Sequence, residues 1–125
     1  MPPVRIVLVE DNDVFRDALE LLLGMRDDVE IVASVGDGAA AVSAAKEYRP
    51  DVVLMDYRLP ALDGIQATAQ VVEEAPGVAV VALTASADAA EREALVEAGA
   101  VACLMKDQEL EEIVAAILQA ASVAD

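Results

Sequence analysis

A chain of 125 residues, 57% hydrophobic and 26% charged, suits one globular domain with one core and excludes a disordered chain. Its 24 acidic residues against 8 basic ones leave a formal net charge of -16, which opposes direct contact with nucleic-acid phosphates or anionic lipid. One cysteine excludes an internal disulfide, no apolar stretch approaches the ~20 residues that span a bilayer, and Met1-Pro2-Pro3 opens without a secretory segment, so a cytoplasmic location is expected.

Strand and helix patterns alternate along the chain. The first strand is expected over Arg5 to Val9, and Glu10-Asp11-Asn12-Asp13 leads from it into a helix. In that helix Val14, Phe15, Ala18, Leu19, Leu22 and Leu23 recur at helical spacing, with Asn12 or Asp13 as N-cap and Gly24 near the end. A second strand, Val29 to Val35, breaks at Gly36-Asp37-Gly38, and an alanine-rich helix follows until Arg49-Pro50 stops it. The third strand, Val52-Val53-Leu54-Met55, ends at Asp56. Leu59-Pro60-Ala61-Leu62-Asp63-Gly64 is a turn-rich loop before a helix over Ile65 to Ala75. The fourth strand, Val80-Val81-Ala82-Leu83, ends at Thr84. Asp88 or Ser86 is placed to cap the next helix, which runs to Ala98 and stops at Gly99. The fifth strand, Val101 to Met105, ends at Lys106. The last helix carries Leu110, Ile113, Val114, Ile117 and Leu118 on one face, and Ala121 to Asp125 begins a frayed tail.

Four of these apolar runs lack the alternation of a half-exposed strand, as buried parallel strands do when helices cover both faces. One three-layer α/β domain over residues 1–125 is therefore expected, with right-handed crossovers and no internal boundary. In such a sheet the carboxyl ends of the strands share one edge, where ligands bind. Glu10, Asp11, Asp56, Thr84 and Lys106 all begin where strands end, so they gather in one crevice. Carboxylates held close repel, and a hard cation such as Mg²⁺ offsets them with oxygen ligands. Asp56 is the candidate nucleophile, since a carboxylate can attack phosphorus to give an acyl phosphate. Lys106 and the metal would stabilise the transferring phosphoryl oxygens, and Thr84 would donate a hydrogen bond to one of them. Simpler readings compete at each position: an N-cap for Asp11, a structural ion pair for Asp56 with Lys106, a solvated lysine, a β-branched strand residue for Thr84, and a plain turn for Gly64. A flavin-type mononucleotide binder needs a small-residue phosphate loop after the first strand. The acidic loop here opposes phosphate, and Gly36-Asp37-Gly38 is too weak a signal to replace it.

The chain closely resembles the receiver domains of bacterial two-component response regulators over about Arg5 to Ala121. Val9-Glu10-Asp11-Asn12, Met55-Asp56-Tyr57-Arg58-Leu59-Pro60, Asp63-Gly64, Leu83-Thr84-Ala85, Gly99-Ala100 and Met105-Lys106-Asp107 carry the likeness. The resemblance implies a flavodoxin-like (βα)5 fold with strand order 2-1-3-4-5. It implies that a sensor histidine kinase phosphorylates Asp56. It further implies that Asp11, Asp56 and the backbone carbonyl of Arg58 ligate Mg²⁺, or Mn²⁺ in its place, with Glu10 acting through water. Lys106 would pair with Asp56 and then with its phosphoryl group. Thr84 would move toward that group and bias the face of the fourth helix, fifth strand and fifth helix. Catalysis would be limited to self-phosphorylation and self-dephosphorylation.

Two departures stand out. The family usually carries an aromatic switch residue three positions before the lysine, where this chain has Cys103. Asp107 replaces the proline that often follows the lysine. The Lys-Asp and Asp-Tyr-Arg-Leu-Pro stretches lean toward receivers of the NarL/FixJ type, which are fused to helix-turn-helix DNA-binding domains. No such output domain lies in these 125 residues, so DNA would be reached only through a segment absent here. A homodimer is an expected partner state, and a phosphorylation-independent dimerisation module is the alternative function, supported by Cys103. A metal-dependent phosphatase is a further alternative. Arg58 and Ser86 border the path of the hydrolytic water in this family. Neither is an acid or amide placed to activate water, so a long-lived acyl phosphate is expected.

Overall fold

Alternation of side chains along each strand sorts the core into two layers. The computed structural model describes residues 2–59, 62–85 and 88–124. Its elements run β1 (Val4–Val9), α1 (Asp13–Gly24), β2 (Val29–Val35), α2 (Gly38–Tyr48), β3 (Val52–Asp56), α3 (Gly64–Glu74), β4 (Ala79–Thr84), α4 (Ala89–Ala98), β5 (Ala102–Met105) and α5 (Leu110–Ala124). The strands form one parallel sheet in the order β2-β1-β3-β4-β5. Val7, Val9, Val53, Met55, Val80 and Ala82 face one layer, built by α2, α3 and α4 through Ala41, Ala45, Ala67, Val71 and Leu95. Their neighbours Ile6, Leu8, Val52, Leu54, Val81 and Leu83 face the other, built by α1 and α5 through Leu19, Leu23, Ile113, Val114 and Ile117. A period of two thus serves both faces, which is why β3 and β4 are buried throughout and apolar up to their last residues, Asp56 and Thr84.

The expected fold holds, with three adjustments. The fifth strand is an edge strand, so Ala102–Met105 is half-buried rather than buried, and Val101 lies before it with 51% of its surface exposed. On α1 only Leu19 and Leu23 are buried, while Val14 is 80% and Leu22 43% exposed, because the helix turns a narrow stripe to the sheet. Ala121 to Ala124 continue α5 rather than fraying. Pro60 and Ala61 of the turn-rich loop, the alternative cap Ser86 and the terminal Asp125 lie outside the described residues.

Helix starts are set by capping side chains that also shape the loops around the sheet's carboxyl edge. Asn12 accepts from the Phe15 N–H at 3.0 Å and opens α1 directly behind Glu10 and Asp11. Asp63 and Gln66 form a reciprocal capping box at α3, and Asp88 accepts from the Ala90 N–H at 2.8 Å at α4. Gly64 lies so close to the end of β3 that an added Cβ would sit 2.5 Å from the Asp56 carbonyl oxygen and 2.7 Å from Tyr57 Cα. Its N–H donates to the Tyr57 carbonyl at 2.9 Å, a backbone bond that helps to hold the turn after Asp56.

Candidate phosphoryl and metal site

The ends of β1, β3, β4 and β5 are adjacent, and each delivers one part of the crevice. Parallel register brings Asp56 opposite Leu83 and Thr84 opposite Met105. The Tyr57 N–H then donates to the Leu83 carbonyl at 2.9 Å, and the Lys106 N–H donates to the Thr84 carbonyl at 2.8 Å. Glu10, Asp56 and Thr84 are buried at 1%, 2% and 1% exposure, while Asp11 is exposed at the rim. An open crevice of about 630 Å³ lies outside these ends, lined by Asp11, Tyr57, Arg58, Leu59, Asp63 and Glu91.

Lys106 reaches across the site. Its Nζ lies 2.8 Å from Glu10 Oε1 and 3.2 Å from Asp56 Oδ1, and 5.0 Å from the centroid of the Phe15 ring. It therefore sits nearer to Glu10 than to Asp56. The Phe15 face adds a cation–π contact that helps to hold the ammonium. Glu10 Oε2 accepts from the Asn12 N–H at 3.0 Å, and Asp56 Oδ1 accepts from the Arg58 N–H at 3.3 Å. Asp56 Oδ2 is buried with no hydrogen-bond partner among the described residues. A bound cation or donor would satisfy such an atom.

One ammonium cannot neutralise two buried carboxylates. Burial raises the Asp56 carboxyl, Glu10 raises it further by hydrogen bonding and charge, and Lys106 opposes both; the carboxyl is pushed up to about 7. Burial works against the Lys106 ammonium, but Glu10 and Asp56 outweigh it and its pKa rises. One oxygen each from Glu10, Asp11 and Asp56 fall within 4.8 Å of one another. Three carboxylate oxygens at this spacing fit a hard divalent cation.

The expected switch position, Cys103, is half-buried on β5 opposite Ala82 and packs against the same layer as Tyr57. Burial pushes its thiol up, Arg92 pulls it down, and Glu91 adds to the rise. Arg92 Nη2 donates to the Cys103 carbonyl at 3.1 Å. Burial also raises the Tyr57 phenol, helped by the nearby Glu91 carboxylate. Ser86, expected along the water path, lies outside the described residues.

Three side chains at the site went unremarked in the sequence. Helical spacing marks Phe15 only as an apolar position of α1, yet it faces Lys106. Arg16 Nη1 donates to the Glu10 carbonyl at 2.6 Å, and the only local signal is its i,i+3 spacing from Asp13. Glu91 had no signal, because α4 brings it to the crevice from a different part of the chain.

Comparison with known proteins agrees with this geometry. The family model described as the response regulator receiver domain matches residues 6–118. The transcriptional regulatory protein LnrK of Bacillus subtilis (strain 168) is 35% identical over 115 residues, which is 92% of this chain and 52% of the relative. LiaR of the same organism is 34% identical over 114 residues, 91% of this chain and 54% of that protein. The chain thus spans about half the length of the curated relatives it matches. The signal receiver domain of the response regulator NarL from Mycobacterium tuberculosis superposes with a TM-score of 0.92 at 36% identity, covering 98% of both chains. The receiver domain of sensor histidine kinase PA1611 from Pseudomonas aeruginosa PAO1 superposes with a TM-score of 0.80 at 34% identity, covering 96% of this chain and 98% of that one. Its structure has a magnesium ion coordinated in the active site cleft.

Proposed function

Because the chain belongs to the response regulator receiver domain family, we propose that Asp56 accepts a phosphoryl group from a sensor histidine kinase and that the domain acts as a switch. The observation that carries this reading is the Asp56 side chain: one oxygen is held near Lys106 and the other is buried and unpartnered. In the reaction an Asp56 carboxylate oxygen forms a bond to phosphorus, and the bond from phosphorus to the donor breaks, with its electron pair leaving on the donor. Lys106 is close enough to follow charge from Asp56 onto the phosphoryl oxygens, and the Thr84 hydroxyl supplies a donor to one of them.

Asp11, Asp56 and the backbone carbonyl of Arg58 would hold Mg²⁺, or Mn²⁺ in its place, with Glu10 acting through water. When bound, the cation supplies positive charge against the carboxylates and the transferring phosphoryl group. Phosphorylation would draw Thr84 inward and bias the face of α4, β5 and α5, with Cys103 in place of the usual aromatic. The output would be transcription through a DNA-binding domain outside this chain, as in regulators of the NarL/FixJ type, with homodimerisation as one step. The location would be the cytoplasm; none of the described helices is long and apolar enough to cross a membrane.

Cys103 favours a second reading, a phosphorylation-independent dimerisation module. Intact mass after incubation with Mg²⁺ and acetyl phosphate separates the two. A single Mg²⁺-dependent phosphoryl adduct, absent in Asp56→Asn, supports the switch. No adduct on folded protein that binds Mg²⁺ supports the dimerisation module.

A further inference from the structure

Arg16 ties the acidic loop after β1 to α1 with a two-pronged grip. Its Nη1 donates to the Glu10 backbone carbonyl at 2.6 Å, and its Nη2 donates to Asp13 Oδ1 at 2.8 Å. The arginine side chain is only 22% exposed. The Glu10 N–H already donates to the Val35 carbonyl at 3.0 Å, so both backbone polar groups of this residue are held. A peptide unit is planar, so fixing the Glu10 carbonyl fixes the plane shared with Asp11 and the direction in which Asp11 leaves the strand.

Gly36, at the end of β2, provides the seat. A Cβ there would lie 3.1 Å from Arg16 Nη1 and 3.9 Å from the Glu10 carbonyl oxygen. The described glycines with positive φ are Gly77 and Gly99, so backbone conformation does not demand glycine at position 36. An added Cβ would instead crowd the guanidinium, which would have to give by a few tenths of an ångström.

We propose that Arg16, seated on Gly36, is a positioning residue for the divalent-cation site: by holding the Glu10 carbonyl it aims Asp11 into the crevice with Glu10 and Asp56. This rests on the metal-binding part of the reading above. The guanidinium has a second, opposite effect. As a cation held against the backbone of Glu10, next to Asp11 in the chain, it repels another cation nearby. Removing only its charge would tighten Mg²⁺ binding, whereas removing its grip weakens it, so the sign of the change decides between them.

The test is a Mg²⁺ titration of the whole chain followed by backbone amide shifts in NMR spectra. Wild type, Arg16→Met and Gly36→Ala are compared at one ionic strength. Arg16→Met is expected to weaken Mg²⁺ binding about 10-fold, the usual cost of removing a residue that orients a ligand. Gly36→Ala keeps every charge and meets only the far end of a flexible side chain, so it is expected to fold normally and weaken Mg²⁺ severalfold. If Arg16→Met binds Mg²⁺ as tightly as wild type or more tightly, or if Gly36→Ala leaves the affinity unchanged, Arg16 does not position the site. Should Arg16→Met fail to fold, Gly36→Ala decides. If wild type itself binds no Mg²⁺, the metal reading fails and this inference with it. If wild type binds and both variants match it, only the inference fails.

Discussion

Replacing Asp56 by Asn should stabilise the metal-free protein, by an amount that grows as the pH rises from about 4 to about 7. Burial and Glu10 move its carboxyl from an ordinary value of 3.8 to about 7. Between those limits the unfolded chain has lost this proton while the folded protein keeps it. The folded state then binds more protons, so its stability falls as the pH rises from about 4 to about 7. At about 1.36 kcal/mol per pH unit, the full displacement corresponds to an upper limit of about 4 kcal/mol. The crevice is open to solvent on one side, and screening reduces the figure to about 2 kcal/mol. Asn keeps the shape and leaves Lys106 paired with Glu10 at 2.8 Å, so little is lost in exchange. Urea unfolding in EDTA should show Asp56→Asn more stable than wild type by about 2 kcal/mol at pH 8 and by about 1 kcal/mol or less at pH 5. Saturating Mg²⁺ should narrow or reverse the gap at pH 8, because it stabilises the wild type by mass action and the variant lacks one ligand. A variant less stable than wild type at pH 8, or equally stabilised at both pH values, would refute the strained-carboxylate account.

Other consequences are simpler to check. Lys106→Met leaves Glu10 and Asp56 without their cation and should cost about 3 kcal/mol at pH 8 by urea unfolding, less at pH 5 where Asp56 takes up a proton. Gly64→Ala forces a Cβ against the Asp56 carbonyl and Tyr57 Cα, which are backbone and cannot swing away. A loss of about 2 kcal/mol is expected, and an unchanged midpoint would show that the turn gives way. The Cys103 thiol, raised by burial, should be alkylated by iodoacetamide at pH 8 more slowly in the folded protein than in urea; equal rates by intact mass would show it freely accessible. Arg58→Asn places an amide beside the acyl phosphate and should hasten its decay, followed as loss of the adduct mass. An unchanged rate would remove Arg58 from the water path.

How much of this was legible beforehand follows from the distance over which each signal acts. The strands were legible because a parallel strand covered on both faces must be apolar at every position, as Val52 to Met55 are. The site was legible because the carboxyl ends of such strands meet at one edge, so Glu10, Asp56, Thr84 and Lys106 converge whatever their separation in the chain. The strand order came from resemblance to a family, since alternation alone does not say which strands are neighbours. Exposure at the edges was misjudged for the same reason: β5 is as apolar as a central strand, and only its place in the sheet leaves it half-covered.

What the sequence determined by itself is therefore the alternation of elements, the capping segments of α1 and α4, and the set of chemical groups at the crevice, because these depend on period, turn chemistry and strand direction. The caps Asp37 and Asp63 were not read from the sequence. Tertiary structure alone decided how those groups share charge and what holds them. Lys106 lies closer to Glu10 than to Asp56, Asp56 Oδ2 is left without a partner, and Arg16 fits over Gly36 to grip the Glu10 carbonyl. Those outcomes turn on differences of a few tenths of an ångström between atoms far apart in the chain, and residue type and spacing do not encode distances that fine.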